Sequence, residues 1–194
     1  MRVVALNGSA RKDGNTAILL NLVLDELQAE KIETEMIQLA GERISGCIAC
    51  YKCQKNKDGK CVVKADRANE YIRKMREAEG ILLGSPTYVA DITANLKAIL
   101  ERATIVCRAN GGEMFKRKPG AGIVAVRRAG AIQAINVLNA FFLINQMIVV
   151  GSSYWNVGIG RNLGEVNSDL EGIQTMKALG QNMAWLLKKI HSQG

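Results

Sequence analysis

The chain has 194 residues, 48% hydrophobic and 23% charged, with a formal net charge of +8. That length suits one compact domain spanning 1–194 with a core of its own, and no segment reads as a leader or a membrane span. The longest apolar run, Phe141 to Val150, is broken by Asn145 and Gln146 and falls far short of the roughly 20 apolar residues a bilayer requires.

Arg2 to Leu6 is a short apolar run closed by Asn-Gly and reads as a buried strand. From Thr16 to Glu30 the apolar residues Ala17, Leu19, Leu20, Val23, Leu24 and Leu27 fall at helical spacing. Glu33 to Leu39 alternates Thr34, Met36 and Gln38 with Glu35, Ile37 and Leu39, a second strand. A cysteine-rich insert at about 45–65 follows, then a charged helix from Asp66 to Ala78 and a third strand from Gly80 to Gly84. The pattern continues with a helix from Ile92 to Ala103, capped by Asp91 or Thr93. A strand from Ala121 to Val126, a helix from Ala131 to Ile144 and a fifth strand from Met147 to Val150 come next. Leu170 to Ile190 closes the chain as a long helix. Strand and helix alternate and the strands are continuously apolar, the pattern of a parallel sheet covered on both faces. Five such strands imply an α/β three-layer sandwich with flavodoxin-like strand order 2-1-3-4-5. Its ligand would lie beyond the carboxyl ends of strands 1 and 3.

The segment joining strand 1 to the first helix, Leu6 to Thr16, has the chemistry of a phosphate cradle. Gly8 and Gly14 let backbone amides approach an anion, Ser9, Asn15 and Thr16 offer side-chain donors, and Arg11 adds charge at the positive end of a helix. It carries neither Gly-Lys-Ser/Thr nor Gly-x-Gly-x-x-Gly, so a P-loop hydrolase and a primary dinucleotide fold are disfavoured. A cradle for one terminal phosphomonoester remains, and FMN is the candidate.

This cradle resembles that of the NADPH-dependent FMN reductase family, as do Gly84-Ser85-Pro86-Thr87-Tyr88, Thr93-Ala94-Asn95-Leu96-Lys97 and Glu101-Arg102. The family more often has Asp-Arg in the last of these. The resemblance implies flavin contact at Pro86, Thr87 and Tyr88. It also implies that Arg127-Arg128-Ala129-Gly130-Ala131 lines the far side of the ring, with Arg127 and Gly130 as binding residues, and it extends to Gly151-Ser152-Ser153-Tyr154-Trp155. NAD(P)H is the co-substrate it suggests, and homodimers or homotetramers the assembly.

Cys47, Cys50, Cys53 and Cys61 fall within fifteen residues. Their short first spacings resemble cubane-cluster loops, whereas structural zinc usually uses two pairs set apart by a longer spacer. The loop is similar to that of the iron–sulfur flavoproteins, a branch of the same family in which these four cysteines would bind a [4Fe–4S] cluster. Zinc, or plain thiols without metal acting as a redox sensor, are the alternatives. Five cysteines, most of them crowded together, suit a reducing compartment and place the protein in the cytoplasm. Cys107 reads as a buried or semi-buried thiol, and Phe141-Phe142-Leu143 as core or as a surface for subunit packing.

From Arg43 to Arg76 there are ten lysines and arginines against three acidic residues, so most of the net charge surrounds the cysteines. Without interleaved aromatics this is not a nucleic-acid surface. It is a solvated basic face or a docking site for an acidic, ferredoxin-like partner. The single histidine, His191, lies near the C-terminus in an exposed tail, which sets aside Ser-His and Cys-His hydrolysis. The expected function is therefore redox. Electrons would move between NAD(P)H or ferredoxin and an acceptor through FMN and a cluster. The alternatives are a cluster-free NAD(P)H-dependent flavin or quinone reductase, and a non-enzymatic electron carrier.

Overall fold

The computed structural model describes residues 1–192, so the last two positions of the expected domain lie outside the described residues. Strands β1 (Arg2–Asn7), β2 (Glu33–Gln38), β3 (Gly80–Pro86) and β4 (Pro119–Val126) pair in parallel in the order β2-β1-β3-β4. The fifth position is filled by two short strands. β5 (Ile148–Val149) pairs with Pro119 and Gly120, and β6 (Val157–Ile159) pairs with Val124 to Val126. The expected order 2-1-3-4-5 is present with this sixth strand added.

Alternation along each strand feeds two cores. Val3, Ala5, Leu82, Ala121 and Ile123 pack under α1 (Asn15–Ala29) and α6 (Leu170–His191). Val4, Leu6, Ile81, Leu83 and Val124 pack under α3 (Ala68–Glu77), α4 (Ala94–Ala109) and α5 (Ala131–Ile144). A strand buried on both faces has no polar phase, which is why these runs are continuously apolar. α5 sits close on β4 because Gly122 has no side chain: a Cβ there would lie 2.8 Å from Leu138. Lys118, at the mouth of β4, reaches across to the end of α3. Its ammonium donates to Ala78 O (2.5 Å) and Met75 O (3.3 Å), meeting carbonyls that the helix leaves unpaired.

Several expectations need correcting. The expected fifth strand, Met147–Val150, shrinks to two residues, and the segment that returns to the sheet after it was not foreseen. α4 runs to Ala109, six residues past its expected end, because Val106 and Cys107 continue the buried stripe. Thr93 stands at its N-cap position but its hydroxyl does not cap the helix; it donates to Gly8 O (2.8 Å). A one-turn helix, α2 (Lys52–Asn56), lies inside the cysteine-rich segment. Phe141 and Phe142 are core, while Leu143 is exposed. Cys107 is buried, and His191 is the exposed last residue of α6. Among the described residues no helix is long and apolar enough to cross a membrane.

Candidate functional site

The carboxyl ends of β1, β3, β4 and β6 meet at one edge of the sheet, and the loops leaving them form a cleft of about 160 Å³. The loop after β1 is knitted by its own short polar side chains. Asn7 Oδ1 accepts from Ser9 N (3.1 Å), and Ser9 Oγ accepts from Arg11 N (3.0 Å). Gly8 N donates to Gly84 O (2.8 Å), which fixes the loop to β3. α1 opens at Asn15 with no side-chain cap and no acidic residue in its first turn. Its leading amides are left for an anion from outside the chain.

Nine of the ten residues selected from the sequence line this cleft: Ser9, Arg11, Gly14, Asn15, Thr16, Pro86, Thr87, Tyr88 and Arg127. Gly130 does not. It stands behind the loop after β3 with φ +90, where a Cβ would meet Ala90 Cα at 3.0 Å and Thr87 Cγ2 at 3.1 Å. Asn15 also has a use not foreseen. Its amide donates to Asn162 O (2.9 Å) and accepts from Gly164 N (2.9 Å), tying the loop after β6 to the start of α1.

That loop supplies two cleft residues missed by sequence reasoning, Gly160 and Arg161, and β4 supplies a third, Ala125. The available signal was Val157-Gly158-Ile159, a short apolar run, followed by Gly160-Arg161-Asn162, turn residues carrying a cation. Gly160 is required by close approach, since a Cβ would lie 2.7 Å from Val166 N and 2.8 Å from Asn15 Nδ2. Glu165 accepts from the backbone of Arg161 (2.7 Å) and Asn162 (2.9 Å) and holds this turn closed.

The loop after β3 is a tight two-residue turn in which Tyr88 and Asp91 exchange backbone hydrogen bonds of 2.9 and 3.0 Å. Its tip, Val89 and Ala90, is left-handed at φ 52 and 58, a conformation costing L-residues about 1–2 kcal/mol each. Just before the tip, Thr87 Oγ1 is buried and has no hydrogen-bond partner. A buried hydroxyl without a partner costs about 1–3 kcal/mol. The cleft is thus bordered by an uncapped helix start and three guanidinium side chains, Arg11, Arg127 and Arg161, and the orphaned Thr87 hydroxyl lies buried in its wall. These fit a phosphate-bearing ligand with a polar ring edge, as FMN has.

The cysteines lie in the long connection between β2 and α3. Tyr51 and Ala49 are left-handed at φ 52 and 50, and Lys57 at φ 50 ends α2, so the chain coils tightly on itself. Cys47, Cys50, Cys53 and Cys61 all border one pocket of about 70 Å³, walled by Ile48, Val62, Ile105 and Val106. Cys53 is buried, Cys61 half-buried, and Cys47 and Cys50 exposed. Burial pushes the Cys53 thiol up, and neighbouring Cys61 and Cys47 push it further. Among the described residues no three His, Cys, Asp or Glu side chains converge on a point that would hold one metal ion. Four cysteines bordering one apolar pocket offer the set of thiolate ligands that an iron–sulfur cluster uses.

Polar anchors hold this segment from both sides. Asn69 accepts from Cys61 N (2.8 Å) and donates to Cys61 O (2.8 Å), and Asn95 donates to Glu42 O (2.7 Å). Arg102, buried in α4, pairs with Asp66 (2.6 and 2.8 Å) and donates to Val63 O (2.9 Å) and Ser45 O (3.2 Å). Burial alone would raise the Asp66 pKa, but hydrogen bonds from Arg102, Ser45 and Ala68 outweigh it and hold the carboxyl below its ordinary value.

A doubly wound parallel sheet with a phosphate cradle after its first strand defines a flavodoxin-like flavoprotein. The sequence profile of the NADPH-dependent FMN reductase family matches residues 1–162, and the chain belongs to that family, hence to the FMN-dependent oxidoreductases. It is 37% identical to an iron–sulfur flavoprotein of Methanocaldococcus jannaschii over 198 aligned positions, covering 98% of this chain and 99% of the relative. An iron–sulfur flavoprotein of Methanosarcina thermophila is 29% identical, with 98% and 97% covered. Among solved structures, a flavodoxin from the domain Archaea superposes with a TM-score of 0.63 at 14% identity, covering 97% of this chain and 99% of that one. An NAD(P)H:quinone oxidoreductase from Methanothermobacter marburgensis gives 0.70 at 14% identity, covering 94% and 96%. At those identities the two structures share the fold.

Proposed function

We propose that this chain is an iron–sulfur flavoprotein of the reducing cytoplasm, passing electrons between NAD(P)H or an acidic ferredoxin-like protein and an acceptor. The observation that carries the reading is the single pocket bordered by all four cysteines. The segment that carries it leaves the carboxyl end of β2 and packs against Arg102, Ile105 and Val106 of α4. Both iron–sulfur flavoproteins compared above align over nearly their whole length, which supports the same conclusion.

When bound, FMN supplies exchange between two-electron and one-electron transfer, and a [4Fe–4S] cluster supplies single-electron exchange. The residues of the chain do the rest. Ser9, Gly14, Thr16 and the first turn of α1 hold the phosphate, with Arg11 neutralising its charge. Pro86, Thr87 and Tyr88 place the ring edge, and Thr87 Oγ1 hydrogen-bonds to it. Arg127 stands on the far side, with Gly130 shaping the turn behind it. Cys47, Cys50, Cys53 and Cys61 ligate the cluster, and Ile105 and Val106 of α4 form its apolar wall. Exposed Lys52, Lys55 and Lys57 flank the buried Cys53 and steer an acidic partner. We further propose a homodimer or homotetramer, supported by exposed Leu143 and Ile144 bordering a cavity of about 750 Å³ between α4, α5 and Cys47.

A second reading, a cluster-free NAD(P)H-dependent flavin or quinone reductase, is favoured by the exposure of Cys47 and Cys50. Anaerobic stopped-flow mixing separates the two. Reduced ferredoxin should bleach the flavin faster than NADPH or NADH does, and faster at low salt than at high. Rapid bleaching by NADPH together with no response to ferredoxin would favour the second reading.

A further inference from the structure

Arg102 is 1% exposed, and it borders the pocket that the four cysteines share. Its two terminal nitrogens are engaged, Nη1 with Asp66 and Ser45 O and Nη2 with Val63 O. The fifth donor differs: Nε–H is buried and meets no acceptor. An unsatisfied N–H on a permanently charged group is expensive in a low-dielectric interior, so a fold that keeps one ordinarily has an acceptor for it. The non-cysteine side chains bordering the pocket (Ile48, Val62, Ile105 and Val106 beside Tyr51 and Ala49) offer none in contact with it. The four cysteines bring sulfur acceptors to the same pocket that Arg102 borders.

We propose that Arg102 Nε–H donates a hydrogen bond to a sulfur of the [4Fe–4S] cluster or of a ligating cysteine, and so sets the cluster's reduction potential. The proposal rests on the reading that the four cysteines hold a cluster. Reduction adds negative charge to the cluster, and a donor aimed at its sulfurs stabilises the reduced form more than the oxidised one. The potential rises as a result. Asp66 offsets much of the guanidinium's net charge, which leaves the directed N–H as the part the cluster senses. The other half of the same side chain holds Ser45 and Val63, each two residues from a ligating cysteine, so one arginine both shapes the loop and tunes what it carries.

The test uses the full-length holoprotein, purified anaerobically, with iron, sulfide and FMN quantified before each measurement. Arg102→Lys keeps the positive charge and removes Nε–H. EPR-monitored titration should place its cluster at a lower potential than wild type at equal iron content, with the FMN potential unmoved. The second measurement uses the wild-type chain, labelled with [15Nε]arginine and reduced. Pulsed EPR should detect a 15N hyperfine coupling to the cluster spin, and this result decides the matter if Arg102→Lys does not retain its cluster. A loaded wild-type protein without that coupling, or an unshifted potential in a fully loaded variant, overturns the role of Arg102 and leaves the iron–sulfur reading standing. A wild-type chain that carries no iron overturns both.

Discussion

Thr87 carries two opposed demands in one side chain. Its buried hydroxyl destabilises the protein alone and is useful once a ligand supplies an acceptor or donor. Thr87→Val should therefore stabilise the flavin-free protein by about 1 kcal/mol and weaken FMN binding by roughly tenfold, one hydrogen bond's worth. Thermal unfolding with and without FMN, together with quenching of flavin fluorescence, measures both effects. A variant that binds FMN like wild type would show that the hydroxyl has no partner in the complex. Gly160→Ala drives a methyl group against Val166 N and Asn15 Nδ2, and overpacking of that kind costs about 1–3 kcal/mol. The cost should appear in FMN affinity, because the clash displaces the loop bearing Arg161. Ser9, Arg11, Gly14 and Thr16 were legible from sequence because their chemistry lies in one unbroken stretch after an obvious strand. Arg161 was not, because it depends on a three-residue strand with a glycine at its centre.

The cysteine segment shows how an element without regular structure is kept in place. Arg102 and Asp66 form a buried pair that bridges α4 to both ends of the loop. Removing one partner of such a pair costs about 3–5 kcal/mol, so Asp66→Asn should lose about that much at pH 7. The pH dependence has a definite sign. With the folded pKa below the unfolded value of about 3.9, the stabilisation is fully present above that pH and disappears as pH falls through the folded value. Urea unfolding should show the two proteins far apart at pH 7 and converging below about pH 4; a constant gap would mean that the Asp66 charge is not the source. The same dependence on partners explains what sequence patterns left unread. β5 is only two residues long and takes its strand conformation from Pro119 and Gly120 of β4. α2 is a single turn with left-handed residues on both sides and no periodicity to detect. α5, by contrast, was legible at both ends because Gly130 and Asn145 bound a mostly apolar helical run.

On the scale of the whole molecule, two surfaces follow from the placement of charge and apolar area. Ten basic residues against three acidic ones between Arg43 and Arg76 put an electrostatic attractor around the cysteine loop. Replacing Lys52, Lys55 and Lys57 by glutamine should slow reduction by ferredoxin roughly tenfold at low salt and flatten its ionic-strength dependence. Rates that do not change with salt in the wild-type protein would remove ferredoxin from the account. Leu143→Glu with Ile144→Glu should shift the protein toward the monomer in light scattering without loss of FMN, since neither residue touches the cleft. The strand order was legible because strand and helix alternate and the inner strands β1, β3 and β4 are almost wholly apolar, a pattern that doubly covered parallel sheets require. The edge strand β2 mixes polar and apolar residues. Whether four cysteines gather around a cluster is set by ligation as much as by the fold, and it is the central claim. The most direct test is the content of the anaerobically purified chain, measured as iron, acid-labile sulfide and FMN, with an EPR spectrum after reduction. Four irons, four sulfides and one FMN per chain, each to within about half an equivalent, with the EPR signal of a reduced [4Fe–4S] cluster, are the predicted result. One FMN without iron or sulfide would contradict it.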